Sequence, residues 1–255
     1  MLDGITVPAH LTQSEHQRAE VRSWLWCVVL ADGTRALTSV GRWTDALHHV
    51  QTHRGIGRRI LDGRQTAVLA HATTGDLPAA LALLEDTEPG APWENAVTAV
   101  LTALCRPGDQ RAAVTAINHC LAFEPGEGLA VFTTRLALSA LDAAPPGAPG
   151  ARSLLSQLTS RTSESGDGYA RRELLAHEGV RDRLEPHRTA TLEQALAACA
   201  LGSAALPEPI QDRLEDTLDR AQTVLEKSLF ALRSPDDNPP ERRTRTAPSS
   251  DVTHP

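Results

Sequence analysis

A glycine followed five residues later by an alanine recurs three times along the first half of the chain, at intervals of 34 and 33 residues. The glycines are Gly41, Gly75 and Gly108, and the segments around them align: RALTSVGRWTDALHHV with LAHATTGDLPAALALL, and then with TALCRPGDQRAAVTAI. Glycine lets a chain reverse tightly between two antiparallel helices, and alanine lets the second helix approach the first closely. One such hairpin cannot bury its apolar face alone, so the repeat predicts a stack of helical hairpins.

Apolar residues follow the 3.6-residue period of an α-helix over most of the chain, and no alternation typical of strands competes with it. The expected helices cover roughly residues 14–40, 43–54, 57–74, 77–87, 93–106, 109–122, 127–143, 150–161, 168–184, 189–204 and 208–233. Pro92 and Pro125, 33 residues apart, are expected to start the helices that follow them. Short connections predict antiparallel neighbours, and the fold class that follows is all-α.

Four regions divide the chain in this interpretation: a flexible N-terminus at 1–13, about three repeat units at 14–127, further helical hairpins at 128–233 and a disordered tail at 234–255. The tail has five prolines and few apolar residues, so burial cannot offset the entropy of ordering it. A solvated tail is expected, although its arginines would also suit an acidic partner; they are Arg242, Arg243 and Arg245. The polar stretch SRTSESGDG, from Ser160 to Gly168, is expected to be a flexible loop.

The three units resemble tetratricopeptide repeats (TPRs), the helical-hairpin repeats of about 34 residues. The resemblance rests on A-L-x-x-x-G-R-W-x-x-A-L at Ala36–Leu47, on G-D-x-x-A-A-L at Gly75–Leu81, and on Gly108–Ala113, and it covers residues 20–127. It implies antiparallel hairpins stacked as a right-handed solenoid. The chain departs from the family midway along each first helix, where the small residue of the family is replaced by Thr34, Val68 and Leu101.

The same resemblance implies a binding groove, because first helices of successive TPR units line a concave surface where partner peptides bind. The polar stripe at the start of the second unit then supplies three partner-binding candidates, Arg58, Asp62 and Gln65. From the residues alone, most such stripes are solvated helix faces. GRRILDGRQTAVLAHATTGD and LALLEDTEPGAPWENAV also resemble, diffusely, TPR regions of actinobacterial transcriptional regulators, which implies a regulatory role.

Composition restricts the classes of partner. A net charge of -7 argues against nucleic-acid binding as the main activity, and the segment before Glu15 is too short for a helix-turn-helix domain. The longest apolar run, Trp24–Ala31, is too short to span a membrane, and no signal peptide is evident. We therefore expect a cytoplasmic protein, with reduced, buried thiols at Cys27, Cys105, Cys120 and Cys199.

The stretch HHVQTHRGIGRR, from His48 to Arg59, is the densest group of chemically active side chains. His49 and His53 lie four residues apart, which on a helix suits a metal ion, but no third ligand follows from the sequence. GIG is a weak phosphate motif, since no strand precedes it. A joint between two hairpins accounts for the stretch without a ligand, so we expect neither metal nor cofactor here.

The leading functional hypothesis is a protein or peptide interaction module, with Trp24 or Trp26 as a possible anchor for the partner. A second hypothesis is an enzyme or accessory protein of a biosynthetic pathway with a site in a helical cavity, although no catalytic residue is identified by motif. A third is a regulator that associates with a separate DNA-binding chain. The sequence does not specify the oligomeric state.

Overall fold

The computed structural model describes residues 14–201, 205–206 and 208–233, which form helices and no strands, so the all-α prediction is confirmed. The predicted flexible N-terminus and tail, with Arg242, Arg243 and Arg245, lie outside the described residues. The helices are α1 (Glu15–Ser39), α2 (Trp43–Thr52), α3 (Asp62–Thr73), α4 (Leu77–Glu85), α5 (Pro92–Leu104), α6 (Gln110–Ala122), α7 (Ala130–Asp142), α8 (Ala151–Glu164), α9 (Gly168–Ala176), α10 (Glu178–Arg181), α11 (Pro186–Ala198) and α12 (Glu208–Arg233).

The chain divides into two compact units, Met1–Leu201 and Gly202–Pro255, with α12 in the second. In the first unit the principal helix contacts join elements that are adjacent or next but one along the chain. Helices α1 and α3, α5 and α7, and α7 and α9 pack in this second way. One cluster of buried apolar residues extends from Ile60 to Leu192, so the helices from α3 to α11 share a continuous core.

The repeated glycines occupy the turns where the repeat predicts them. Gly41, Gly75 and Gly108 have φ of 74°, 85° and 83°, a conformation that L side chains rarely adopt. Each is followed by a fully buried alanine inside the second helix of its hairpin. The alanines are Ala46, Ala80 and Ala113, each 0 % exposed. The turn and close-approach roles predicted from the repeat are therefore confirmed.

Two predicted helix starts are wrong. Helix α3 begins at Asp62 instead of residue 57, because the preceding loop is held by contacts of its arginines with later parts of the chain. Pro92 is the first residue of α5, as predicted, but Pro125 lies in a loop and α7 begins only at Ala130. A turn containing Gly128, with φ of 81°, separates this proline from the helix.

The predicted flexible loop at Ser160–Gly168 is wrong over its first half, because α8 continues to Glu164. Hydroxyl groups bond back to the preceding turn: Thr159 donates to Leu155 O at 2.8 Å and Ser163 to Thr159 O at 2.8 Å. These bonds satisfy the hydroxyl groups of Thr159 and Ser163 within the helix. Polar composition therefore concealed the last turn of α8.

The last predicted helices of the first unit also differ from the observed ones. The helix expected over 168–184 is divided into α9 and α10 at His177, whose ψ of 102° is extended. The helix expected over 189–204 begins earlier, at Pro186, and ends at Ala198. Proline suits a first helical position because its missing N–H has no intrahelical partner there.

Candidate functional site

The arginines of the α2–α3 loop are bound to carboxylates of the α4–α5 region. Arg58 lies 3.3 Å from Asp86 and 3.0 Å from Glu88, and its carbonyl accepts a hydrogen bond from the backbone N–H of Glu88 at 2.9 Å. Arg59 donates to both carboxylate oxygens of Glu94. We call these contacts, together with those of Arg64, the arginine joint. They attach the α2–α3 loop to the α4–α5 region, so most of the charged side chains in HHVQTHRGIGRR have a structural role.

Arg64 is the most deeply placed member of the arginine joint, with a side chain only 4 % exposed. Its guanidinium donates to Gly57 O at 2.6 Å, Leu83 O at 2.7 Å and Thr87 Oγ1 at 2.9 Å. It also lies 3.2 Å from Asp86. A buried cation is tolerated only when its donors are satisfied, and here the forked group bridges two backbone carbonyls and a threonine hydroxyl.

Glu94 is the buried carboxylate of the joint, with its side chain 1 % exposed. It also accepts from the backbone N–H of Ala91 at 3.1 Å, so it caps the start of α5. The hydrogen bond from Arg59 is the largest cause of a pKa lowered below the ordinary value for this carboxyl. The same contact raises the pKa of Arg59. Glu94 is therefore held ionised as a structural anion.

The three predicted partner-binding residues differ in their exposure and in the contacts that they make within the chain. Arg58 is engaged by Asp86 and Glu88, although 65 % of its side chain is exposed. Gln65 is half-buried and donates to Ile60 O at 2.8 Å. Asp62 is exposed in the first turn of α3, and its carboxylate makes no ion pair with a described residue. The assignment of these residues to a partner remains a prediction.

His49 and His53 are packed between α1 and α2, with ring centroids 4.6 Å apart. His49 Nε2 lies 3.0 Å from Val29 O, so this nitrogen carries the proton and donates. Gly33 leaves the space for the ring, since a Cβ at that position would lie 2.7 Å from His49 Cε1. His53 O accepts from Trp26 Nε1 at 2.8 Å. These contacts fasten α1 to the end of α2.

Within residues 14–201, 205–206 and 208–233, no group of three or more histidine, cysteine, aspartate or glutamate side chains converges to hold an ion. The weak metal candidates, His49 and His53, thus have no third ligand among the described residues.

The N-terminal half of α1 exposes a continuous apolar face. Helix α1 has 25 residues and α2 only 10, so about half of α1 extends beyond its antiparallel partner. Val21, Leu25 and Val29 follow at four-residue intervals, and Trp24 lies beside them, 63 % exposed. We call these four residues the α1 face. Exposed apolar patches of this kind mark interaction surfaces more often than isolated exposed residues do.

A cation borders the α1 face. Arg22 is exposed and makes no ion pair or side-chain hydrogen bond with a described residue, whereas the nearby Arg18 is bound to Glu15 at 2.7 Å. Sequence analysis selected Trp24 as a possible anchor but missed Val21, Leu25 and Arg22. Apolar residues surround α1 on several sides, so periodicity could not separate its buried side from its exposed side.

Helix α12, in the second unit, is also amphipathic and exposed. Ile210, Leu214, Leu218 and Leu225 lie along one side of it, each between 45 % and 62 % exposed. Acidic residues predominate in its N-terminal half. No described helix reaches the length and apolarity needed to cross a lipid bilayer.

A cavity of about 710 Å³ lies between the α6–α7 loop and the end of α8. Its buried wall includes Cys120, Leu136 and Leu158. Burial raises the pKa of the Cys120 thiol to about 12, so this group stays protonated at neutral pH. Arg161, on the same wall, donates to Phe123 O at 3.1 Å. The lining contains no histidine, so it offers no activated thiol or imidazole base for covalent chemistry.

The expectation that all four cysteines are buried is wrong for two of them. Cys105 and Cys120 are buried, but Cys27 is exposed on the uncovered half of α1 and Cys199 is half-buried. All four thiols are free.

Comparison of the chain with protein-family models, with curated proteins and with solved structures found no match.

Proposed function

We propose that this chain is a TPR-like helical repeat protein that acts as a protein interaction module, and that its α1 face binds an amphipathic helix of the partner. The observation that carries the proposal is the α1 face itself: four large apolar side chains exposed on one side of a helix. In such helix-in-groove recognition, apolar anchors three and four residues apart supply the affinity.

The repeat supports the architectural part of this proposal. Glycine turns recur at 34 and 33 residues, buried alanines follow them, and helices pack mainly on near neighbours along the chain. Stacked hairpins of this kind present the outer face of a terminal helix, since only one side of it meets the next hairpin. Helix α1 is the first described helix, and its N-terminal half is exposed on the side away from α2.

Charge defines the chemistry of the proposed partner. Arg22 borders the α1 face and has no carboxylate partner among the described residues, so a helix with acidic side chains beside its apolar stripe would complement the surface. Trp24 is the central anchor, because a large aromatic group at an interface contributes most when a partner covers it. A regulatory role in the cytoplasm, without direct nucleic-acid binding, belongs to the same proposal.

Affinity capture from the native lysate tests the proposal when two variants are compared with the wild type. Trp24→Asp places a charge in the α1 face, whereas Val40→Asp places the same charge on an apolar residue that is 68 % exposed at the other end of α1. We expect one protein to be retained by wild type and by Val40→Asp, and its affinity to fall at least about tenfold in Trp24→Asp.

Circular dichroism of both variants verifies that the helices persist. The proposal fails if wild type retains no specific protein, or if the retained protein binds Trp24→Asp and Val40→Asp with equal affinity.

A further inference from the structure

A second cavity of the first unit lies where the start of α8 meets the segment between α10 and α11. Its volume is about 650 Å³, within the range of small-molecule sites. Leu155 and Leu184, both half-buried, contribute apolar wall. The charged lining residues are three arginines and one glutamate: Arg152, Arg183, Arg188 and Glu185. In a chain of net charge -7, this is a local concentration of positive charge.

None of the three arginines makes an ion pair or a side-chain hydrogen bond with a described residue. Glu185 lies 3.4 Å from His187 and not within ion-pair distance of the arginines. Neighbouring arginines behave differently: Arg181 is bound to Glu193 at 3.0 Å. Three exposed cations beside a single carboxylate give the cavity an excess of positive charge, which favours the binding of an anion.

The helix positions of two of these arginines are also unfavourable for stability. Arg152 is the second residue of α8, and Arg188 is the third residue of α11. The N-terminus of a helix carries partial positive charge, so a cation in the first turn opposes the helix dipole. The N-cap of α8 is Gly150, which has no side chain to bond the first-turn N–H groups. An anion in the cavity would satisfy both the arginines and this helix start.

We propose that this cavity binds a phosphate monoester of a small organic molecule. Arg152, Arg183 and Arg188 hold the phosphoryl group, because the guanidinium fork matches phosphate oxygens and carries the opposite charge. The organic part lies against Leu155 and Leu184. The site is separate from the α1 face, so this proposal does not depend on the protein partner.

Isothermal titration calorimetry of the full chain at low ionic strength tests the site with defined probes. The probes are phenyl phosphate, glycerol 3-phosphate, adenosine 5′-monophosphate, inorganic phosphate, phenol and a single-stranded DNA 20-mer. We expect at least one monoester to bind more tightly than inorganic phosphate, phenol not to bind, and added salt to weaken the monoester. We expect the DNA to bind no more tightly than the best monoester.

Two variants localise the binding. Arg152→Gln and Arg188→Gln should each weaken the best monoester at least about tenfold, because each removes a charge-assisted contact. Both should keep or raise the melting temperature, since each removes a cation from a first helical turn. The matched control is Arg172→Gln, whose guanidinium lies 5.0 Å from the Tyr169 ring centroid and outside the cavity lining.

Several results would overturn the proposal: no monoester binding by wild type, unchanged affinity in Arg152→Gln and Arg188→Gln, or an equal loss in Arg172→Gln. Tighter binding of the DNA 20-mer would assign the arginines to a nucleic-acid backbone instead. None of these results bears on capture by the α1 face, so the two proposals fail independently.

Discussion

Charged residues of the α2–α3 loop and of the first turn of α3 are bound to groups 19 to 35 positions further along the chain. Arg64 meets Leu83 and Thr87, and Arg59 meets Glu94 at a separation of 35 residues. Because these contacts connect successive hairpins, the charges stabilise the contact between the hairpins, and their partners are groups of the chain itself. A buried donor or acceptor that loses its partner costs about 1–3 kcal/mol, so each such residue is sensitive to substitution.

The contribution of Glu94 to stability can be tested, because it should depend on pH in a defined way. Its pKa is lowered in the folded chain from an ordinary value of 4.5, chiefly by the hydrogen bond from Arg59. The stabilisation is therefore fully present above pH 4.5 and is lost as the pH falls through the folded pKa. We expect Glu94→Gln to lower the free energy of unfolding at pH 7 by about 1–3 kcal/mol in urea denaturation.

The difference between wild type and Glu94→Gln should shrink as the pH falls below 4.5. The control is Glu88→Gln, because Glu88 is 53 % exposed and its pair with Arg58 is worth at most about 1 kcal/mol. A difference that is constant with pH, or a Glu88→Gln effect as large, would show that the Arg59–Glu94 contact is not the structural ion pair described.

The start of α3 requires close approach of backbone to the loop that precedes it. Gly63, in the first turn of α3, lies against the backbone of the α2–α3 loop, and a Cβ there would collide with the carbonyl of Gly55. Gly63→Ala must therefore displace the loop, and we expect a lower melting temperature in differential scanning calorimetry. Gly57→Ala is the matched control, because a Cβ at Gly57 would meet nothing within 4 Å. Equal effects of the two substitutions would contradict the close packing of this loop.

Elements with strong local signals were predictable from sequence, and those determined by distant contacts were not. The turns at Gly41, Gly75 and Gly108 follow from local chemistry, because a glycine conformation and a buried alanine define each hairpin. The late start of α3 depends on Glu94 and Asp86, which no pattern near residue 57 reveals. Polar composition at Ser160–Gly168 gave no sign that the hydroxyl groups bond back within a helix.

The candidate site was less predictable than the fold. Trp24 was selected as a possible anchor because it is a large aromatic residue, but its exposure depends on α2 being shorter than α1. Arg58 was selected for its charge, and that charge is bound to Asp86 and Glu88. The phosphate proposal rests on residues far apart in sequence, Arg152 and Arg188, which only the folded chain brings to one cavity.

Each of the two units of the whole molecule has exposed surfaces with their own chemistry. The first unit contains the helices α1 to α11, the α1 face and the arginine-lined cavity. The second contains the exposed amphipathic helix α12. The continuous core beginning at Ile60 holds the helices of the first unit from α3 to α11 together, and the proposed α1 face lies on a helix outside that core.

Site-specific photo-cross-linking in the native cells tests most directly whether the α1 face binds a helix of a partner protein. A photoreactive phenylalanine derivative is incorporated at position 24, within the α1 face, and in a separate strain at position 40, which is also exposed. We predict one discrete cross-linked protein from position 24, attached through an amphipathic helical segment, and none of that product from position 40. No discrete product from position 24, or the same product from both positions, would contradict the binding of a partner by the α1 face.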